Sequence, residues 1–175
     1  MVKIVTILAS ATLLAAVAVS ANAQEKGSTY LQAGAGVLDA DGERFNVVQF
    51  VGGYNLNRNF AAEAELGLGV SEKRYQVGSV FVDAKIKRTA GVYLVGSLPV
   101  ADNLDLLGRV GFAAVSIEAK SGNVSADEQE EGPAFGVGLR YLFKGGVHGV
   151  RGDLTRYKLD EADFDTLKVS YVRRF

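Results

Sequence analysis

The sequence predicts an all-β fold, an eight-stranded antiparallel up-and-down transmembrane β-barrel, and three observations predict it. Beyond position 23 the chain alternates with period two in about eight segments. In nearly every segment the bulky apolar side chains share one face, while glycines and charges share the other. The connections between segments alternate between tight and long, the asymmetry of a barrel with short turns on one side of a membrane and longer loops on the other.

The first residues stand outside that pattern. A short basic start, MVK, leads into the apolar run of residues 4–19 and then into Ala21-Asn22-Ala23, a small-x-small site. This is the layout of a secretory signal peptide. Residues 1–23 are therefore expected to be cleaved, with Gln24 as the new N-terminus and residues 24–175 forming one outer-membrane barrel domain. The alternative, an uncleaved anchor, fits less well because the run is shorter than the ~20 residues of a helical span. No later apolar run approaches that length. A net charge of −1 gives no general attraction for nucleic acid, and the absence of cysteine fits an exported protein without disulfides.

The segments follow in order. Residues 28–38 set Leu31, Ala33, Ala35 and Val37 against Tyr30, Gln32, Gly34 and Gly36. Residues 45–56 place Val48, Phe50, Gly52, Tyr54 and Leu56 on the apolar side. From Phe60, Ala62, Ala64, Leu66 and Leu68 oppose Glu63, Glu65, Gly67 and Gly69. The fourth segment runs from Val80 to Leu98, the fifth from Leu104 to Ser116, and the sixth to eighth cover residues 133–143, 149–159 and 164–175. DADGER, SEKRYQVGS, EAKSGNVSADEQEEG and DEAD read as polar, mostly long loops; NRN, PVADN and KGGVH read as tight turns. Several segments reach the ~9–11 residues needed to cross a bilayer at a tilt.

A soluble β-sandwich or lipocalin-like barrel also alternates, but it turns its apolar face inward. Here the other face, rich in glycine and charge, would make a poor soluble core. In lipid every backbone N–H and C=O must pair internally, and a closed barrel is the only arrangement of strands that achieves this.

With the apolar face toward lipid, Glu63 and Glu65 point inward. Arg109, Arg140, Arg151 and Asp153 share the inward parity on other strands. Counted from the tight turns, all six fall at or below mid-barrel, so the sequence predicts an interior ion-pair cluster. An eight-stranded ring is filled by side chains rather than water, and the inward glycines are expected to leave room for the long arginines.

GYNLNRNFAAEAE (53–65), PVADNLDLLGRVGF (99–112), GPAFGVGLRY (132–141) and the terminal VSYVRRF resemble, in order and spacing, the eight-stranded domain of outer membrane protein A. The resemblance extends to the small barrels of the OmpX and opacity-protein type and covers essentially the whole mature chain. It implies that Glu63 pairs with Arg151 across the interior. The family's second pair, a lysine with a glutamate, falls on Val95 and Arg140 here and is missing, so the family's charge-swapping gate does not carry over. The family's separate peptidoglycan-binding domain has no counterpart in residues 24–175. An aromatic C-terminus resembles the signal read by the bacterial barrel-assembly machinery, which assigns that role to Tyr171 and Phe175, with Arg173 snorkelling at the periplasmic rim.

Nothing reads as catalytic. His148, the only histidine, falls in a tight turn, far from the outer rim where the histidine and serine of lipid-modifying barrel enzymes lie. The Glu63 and Glu65 pair is better explained as partners for arginine than as a glycosidase dyad. No cofactor or metal site is expected, although the acidic loop EAKSGNVSADEQEEG could hold divalent cations weakly or meet a surface ligand. The expected protein is a monomer of the Gram-negative outer membrane, in contact with membrane lipids and lipopolysaccharide. Its expected role is structural or surface-interactive, in adhesion or resistance. A narrow ion channel is the alternative, and a lipid-modifying enzyme a third option.

Overall fold

The computed structural model describes residues 27–40, 42–77, 80–121, 124–159 and 163–175. The expected signal peptide, residues 1–23, lies outside the described residues. Nine strands are present: β1 (Thr29–Ala40), β2 (Glu43–Asn55), β3 (Phe60–Gly69), β4 (Glu72–Val77), β5 (Val80–Ala101), β6 (Leu104–Ser121), β7 (Val124–Leu142), β8 (His148–Lys158) and β9 (Asp163–Arg174). All pairings are antiparallel, and each strand pairs with its chain neighbours except β3 with β4. β1 pairs with β9, and β3 pairs with β5, so the sheet closes on itself. β3 and β4 are one stave interrupted at Val70–Ser71, and both pair with β5. The barrel therefore has eight staves.

The alternation in the sequence becomes an inside and an outside. Phe50, Leu66, Val110, Phe112, Val137 and Val169 face outward and exposed, in an apolar band that only lipid can cover. The residues between them are buried inside. Three short connections join the staves at one end: residues 56–59, residues 102–103, and residues 143–147, where Gly145 and Gly146 adopt positive φ of 99° and 69°. Side chains with a Cβ resist that conformation.

At the other end the structure corrects the expected long loops. Residues 72–77 form β4, and residues 118–121 and 124–132 continue β6 and β7 as paired strands. β5, β6 and β7 thus reach 22, 18 and 19 residues and project beyond the apolar band. The projecting strands are tied by cross-strand ion pairs. Arg74 donates to Asp83 at 2.6 and 3.0 Å, and those hydrogen bonds hold the Asp83 carboxyl below its usual range.

Inside, apolar side chains lie at both ends of the ring as well. Leu38, Phe45, Val47, Ile86, Val115, Leu159 and Phe164 form an apolar layer on the side of the long hairpins. Ala61, Val95, Leu107 and Val172 form a smaller one toward the short turns. The inward glycines make space not for arginines but for tyrosine rings at Gly53, Gly91 and Gly111, and for neighbouring backbone and the side chains of Ser170, Lys168, Thr89, Thr155 and Asp153 at Gly34, Gly36, Gly67, Gly136 and Gly138. A Cβ on Gly53 would lie 2.1 Å from Tyr30 Cζ; one on Gly111 would lie 2.0 Å from the Val92 carbonyl oxygen and 2.7 Å from Tyr93 Cδ1.

Gly111→Ala should therefore destabilise the folded barrel by roughly 1–3 kcal/mol through overpacking. Gly108→Ala on the same strand, where a Cβ would meet nothing within 4 Å, should change stability little. Urea unfolding in lipid vesicles measures both, and equal effects would refute the packing account.

Candidate functional site: the polar interior

Between the two apolar layers lies a belt of buried polar side chains, built by the inward positions of five strands. β3 supplies Glu63 and Glu65, β6 supplies Arg109, β8 supplies Arg151 and Asp153, β9 supplies Lys168 and Ser170, and β1 supplies Tyr30 and Gln32. All are buried, with Arg151 only 1 % exposed. Going round the ring in either direction, β3 and β8 are four staves apart, so a contact between them crosses the full lumen.

Two groups form within the belt. Arg151 Nη1 donates to Glu63 Oε1 at 2.5 Å, and its Nε and Nη2 donate to Asp153 Oδ1 at 2.9 and 2.8 Å. Tyr30 OH and Gln32 Nε2 also donate to Glu63 Oε1, at 2.5 and 3.3 Å. Ser170 Oγ in turn donates to Gln32 Oε1 at 3.1 Å, so the amide of Gln32 is held on both sides. In the second group Glu65 accepts from Arg109 Nη2 at 2.8 Å, from Lys168 Nζ at 2.6 Å and from Tyr157 OH at 3.3 Å. The Arg109 guanidinium lies 3.6 Å from the centroid of the Tyr93 ring, a cation–π contact.

The charges balance only when the groups are taken together. Glu63, Asp153 and Arg151 carry one net negative charge; Glu65, Arg109 and Lys168 carry one net positive charge. Asp153 and Lys168 face each other in the β8–β9 register, which places the surplus charges on adjacent strands. A charge buried away from water is costly unless it is paired and hydrogen-bonded, and this arrangement leaves no carboxylate of the belt without a cation.

Of the six interior residues read from the sequence, the structure gathers five: Glu63, Glu65, Arg109, Arg151 and Asp153. Arg140 faces Arg151 in the β7–β8 register but bonds outside the belt. It is half-buried nearer the short turns, donating to Asp105 Oδ2 at 3.0 and 2.7 Å and to Ser97 Oγ at 3.3 Å. Asp105 and Arg140 are direct cross-strand partners, a relation set by register and not visible in one strand's parity. Lys168 was missed, although its inward parity follows from the outward Leu167 and Val169.

The C-terminal residues lie at the short-turn end. Tyr171 faces outward, and its hydroxyl hydrogen-bonds His148 Nδ1 with the two rings stacked. Phe175 N donates to the Thr29 carbonyl at 2.8 Å, and Arg173 lies 5.0 Å from the Phe175 ring centroid. Among the described residues no group of three His, Cys, Asp or Glu side chains could hold a metal ion.

The model of a family described as the outer membrane protein beta-barrel domain matches residues 9–175. No curated protein matches the chain. Among solved structures, Ail, the attachment invasion locus protein of Yersinia pestis, aligns with a TM-score of 0.63 at 15% identity, over 86% of this chain and 99% of that one. Ail has also been solved in complex with the heparin analogue sucrose octasulfate. The N-terminal β-barrel domain of Pseudomonas aeruginosa OprF gives 0.61 at 16% identity, over 85% and 99%. Neisserial surface protein A gives 0.64 at 11% identity, over 84% and 97%. At these identities the likeness is one of fold.

Removing one member of the cross-lumen pair should strand its partner. Glu63→Gln and Arg151→Met should each cost roughly 3–5 kcal/mol, and the double variant should cost clearly less than their sum. Unfolding in lipid as a double-mutant cycle reads the coupling, and additive effects would show that the pair does not act as a unit.

Proposed function

Because the chain belongs to the outer membrane protein beta-barrel domain family and is an outer-membrane protein, we propose that it is a closed, non-enzymatic barrel with a structural or surface-interaction role, in adhesion or resistance. One observation carries the reading: the interior is a charge-balanced belt held between two apolar layers. Such a filling braces the wall and leaves little for ions to follow. What projects into water is the set of long hairpins, rich in charge, and these are the surfaces a partner would meet. The attachment named for Ail and its complex with a heparin analogue support a surface ligand of some kind for this chain.

Further proposals follow from the same placement. Residues 1–23 are a cleaved export signal. The mature chain is a monomer that uses no cofactor and contacts outer-membrane lipids and lipopolysaccharide. Tyr171 and Phe175 form the signal for the barrel-assembly machinery; their position along the outward face at the short-turn end supports this. A non-enzymatic role draws support from His148, whose ring is engaged with Tyr171 at the end opposite the hairpins.

A second reading, a narrow ion channel, is favoured by one observation. Asp153 faces Lys168 across β8 and β9 while each is hydrogen-bonded elsewhere, so the belt contains alternative pairings.

The mature chain, folded so that unboiled and boiled samples migrate differently in SDS electrophoresis, should give no discrete conductance steps in a planar bilayer. Reproducible single-channel steps from that material would replace the structural reading with the channel.

A further inference from the structure

The outward wall of the barrel is hollowed along one line. Two neighbouring rows of outward side chains cross the strands there. The first starts at Arg173 and passes through Leu31, Gly52 and Ala64 to Val92 and Phe112, each facing the next in register. The second starts at Tyr171 and passes through Ala33, Phe50 and Leu66 to Ala90 and Ala114. Gly52 and Ala64 are small in the first row, and Ala33, Ala90 and Ala114 in the second. Along these rows runs a shallow apolar groove of about 640 Å³, lined from Arg173 and Phe175 at one end to Ala114 and Glu131 at the other.

The groove climbs. Strands of such a barrel tilt, so a row at right angles to them is inclined to the membrane. Leu31 is the third residue of β1, close to the short turns, whereas Phe112 is the ninth of β6. From β9 to β6 the row crosses five gaps between staves, which at ~4.8 Å each makes it about 24 Å long. At a tilt of ~40° it rises roughly 15 Å, half of a ~30 Å hydrocarbon core. The groove therefore spans one leaflet, the one beside the short turns, and offers an oblique path for one extended acyl chain.

A cation stands at the lower end. Arg173 is exposed and faces Leu31 on one side and His148 on the other. Its guanidinium lies over the Phe175 ring, and no described carboxylate, that of the Phe175 terminus included, forms an ion pair with it. Of the described acids at this end, Asp105 holds Arg140, and Asp102 lies in the connection between β5 and β6, three to four staves from β9. The fork of Arg173 is thus left to a group from outside the protein. A cation at the foot of an acyl-sized furrow matches an amphiphile with a phosphate at its head.

We propose that Arg173 binds the phosphate of an anionic glycerophospholipid of the periplasmic leaflet, with one acyl chain lying along the groove over Gly52 and Ala64. The guanidinium fork suits two phosphate oxygens. The glycerophospholipid is chosen over a glycolipid of the outer leaflet because the cation lies at the end with the short turns, the periplasmic face of such barrels. An anionic headgroup is chosen over a zwitterionic one because an ammonium would bring a second cation beside Arg173 with no described acid to receive it. The site deepens the outer-membrane lipid contact in the proposed function. It uses the barrel's membrane placement but not its quiet interior, so a conducting barrel would leave it standing.

The test places the mature chain in phosphatidylcholine nanodiscs doped with phosphatidylglycerol, phosphatidylethanolamine or bis-phosphorylated lipid A, and counts retained lipid by native mass spectrometry. Symmetric discs present the probe on both leaflets, so the result does not depend on barrel orientation. Phosphatidylglycerol should be retained in preference to the other two. Arg173→Gln should lower its retention roughly fivefold, the effect of one charge at a membrane surface. Ala64→Leu, which fills the groove without altering charge, should also reduce it. Lys144→Gln, which removes a cation at the same end outside the groove, should not. Undiminished retention by Arg173→Gln, or an equal loss in Lys144→Gln, would overturn the site. Equal retention of phosphatidylethanolamine would overturn the anionic headgroup, and stronger retention of lipid A would overturn the leaflet. Should Arg173→Gln not fold, the comparison of probes on the unmodified chain and the Ala64→Leu variant still decides.

Discussion

A ring of eight strands encloses space for side chains but not for bulk water, and this limits everything placed inside it. An ionised group in the lumen cannot rely on solvent, so its counter-charge must come from another strand. Glu63 and Arg151 meet from opposite walls, four staves apart in either direction. Backbone ladders fix each strand only against its neighbours. This contact fixes one wall against the other. Glu65 ties β3 to Arg109 two staves away and to Lys168 three staves away. Neutrality belongs to the six groups as a set, so the position of each strand matters to every other.

The same shortage of space governs the glycines. Tyr30 and Tyr93 are large rings that also carry polar tips, and both lie across the inner wall against glycine backbone. Without Gly53, Gly91 and Gly111 the rings would collide with their neighbours. With them, Tyr30 reaches Glu63 and Tyr93 stacks under Arg109. The tyrosines thus link the packing of the wall to the charged belt: each ring fills volume that would otherwise be void and stabilises an ion that would otherwise be poorly solvated.

Much of this was legible in the chain because lipid on one side and a lumen on the other impose contrast. Where that contrast exists, period two reads out directly: Leu66 outside, Glu65 inside; Val110 outside, Arg109 inside. Where both faces meet water the contrast disappears, and residues 72–77, 118–121 and 124–132 read as loops although they are strands. Parity also reveals direction without depth. Parity with a count from the turns placed Arg140 with the other arginines; it does face Arg151 in register, but its hydrogen bonds go to Asp105 and Ser97. Nor did the residue pattern reveal the inner apolar layers, because Leu38 and Phe45 sit inward near strand ends where both parities carry apolar residues. The β-bulge between Ile86 and Arg88 on β5 is invisible to any periodic reading, since it is the point at which the period slips.

Where the ring stops being closed marks where lipid stops. Through the apolar band every stave has two neighbours, as a backbone in hydrocarbon requires. At Val70–Ser71 the third stave breaks. Its continuation, β4, pairs with β5 alone, because β1 and β2 have already turned back at Ala40 and Glu43. On the other side β7 meets β8 only from Ala134 onward, while its earlier residues pair with β6 alone. Four strands, β4 to β7, therefore rise as an open sheet with two edges. Unpaired backbone groups on those edges are tolerable only in water. The outward side chains change at the same level: Leu66, Leu68 and Val92 lie on the closed part, and Lys85, Lys87 and Arg88 begin where it opens. Backbone pairing and side-chain chemistry, which answer to different physical demands, thus set one boundary. That agreement fixes the outer edge of the membrane on this barrel more firmly than hydropathy alone.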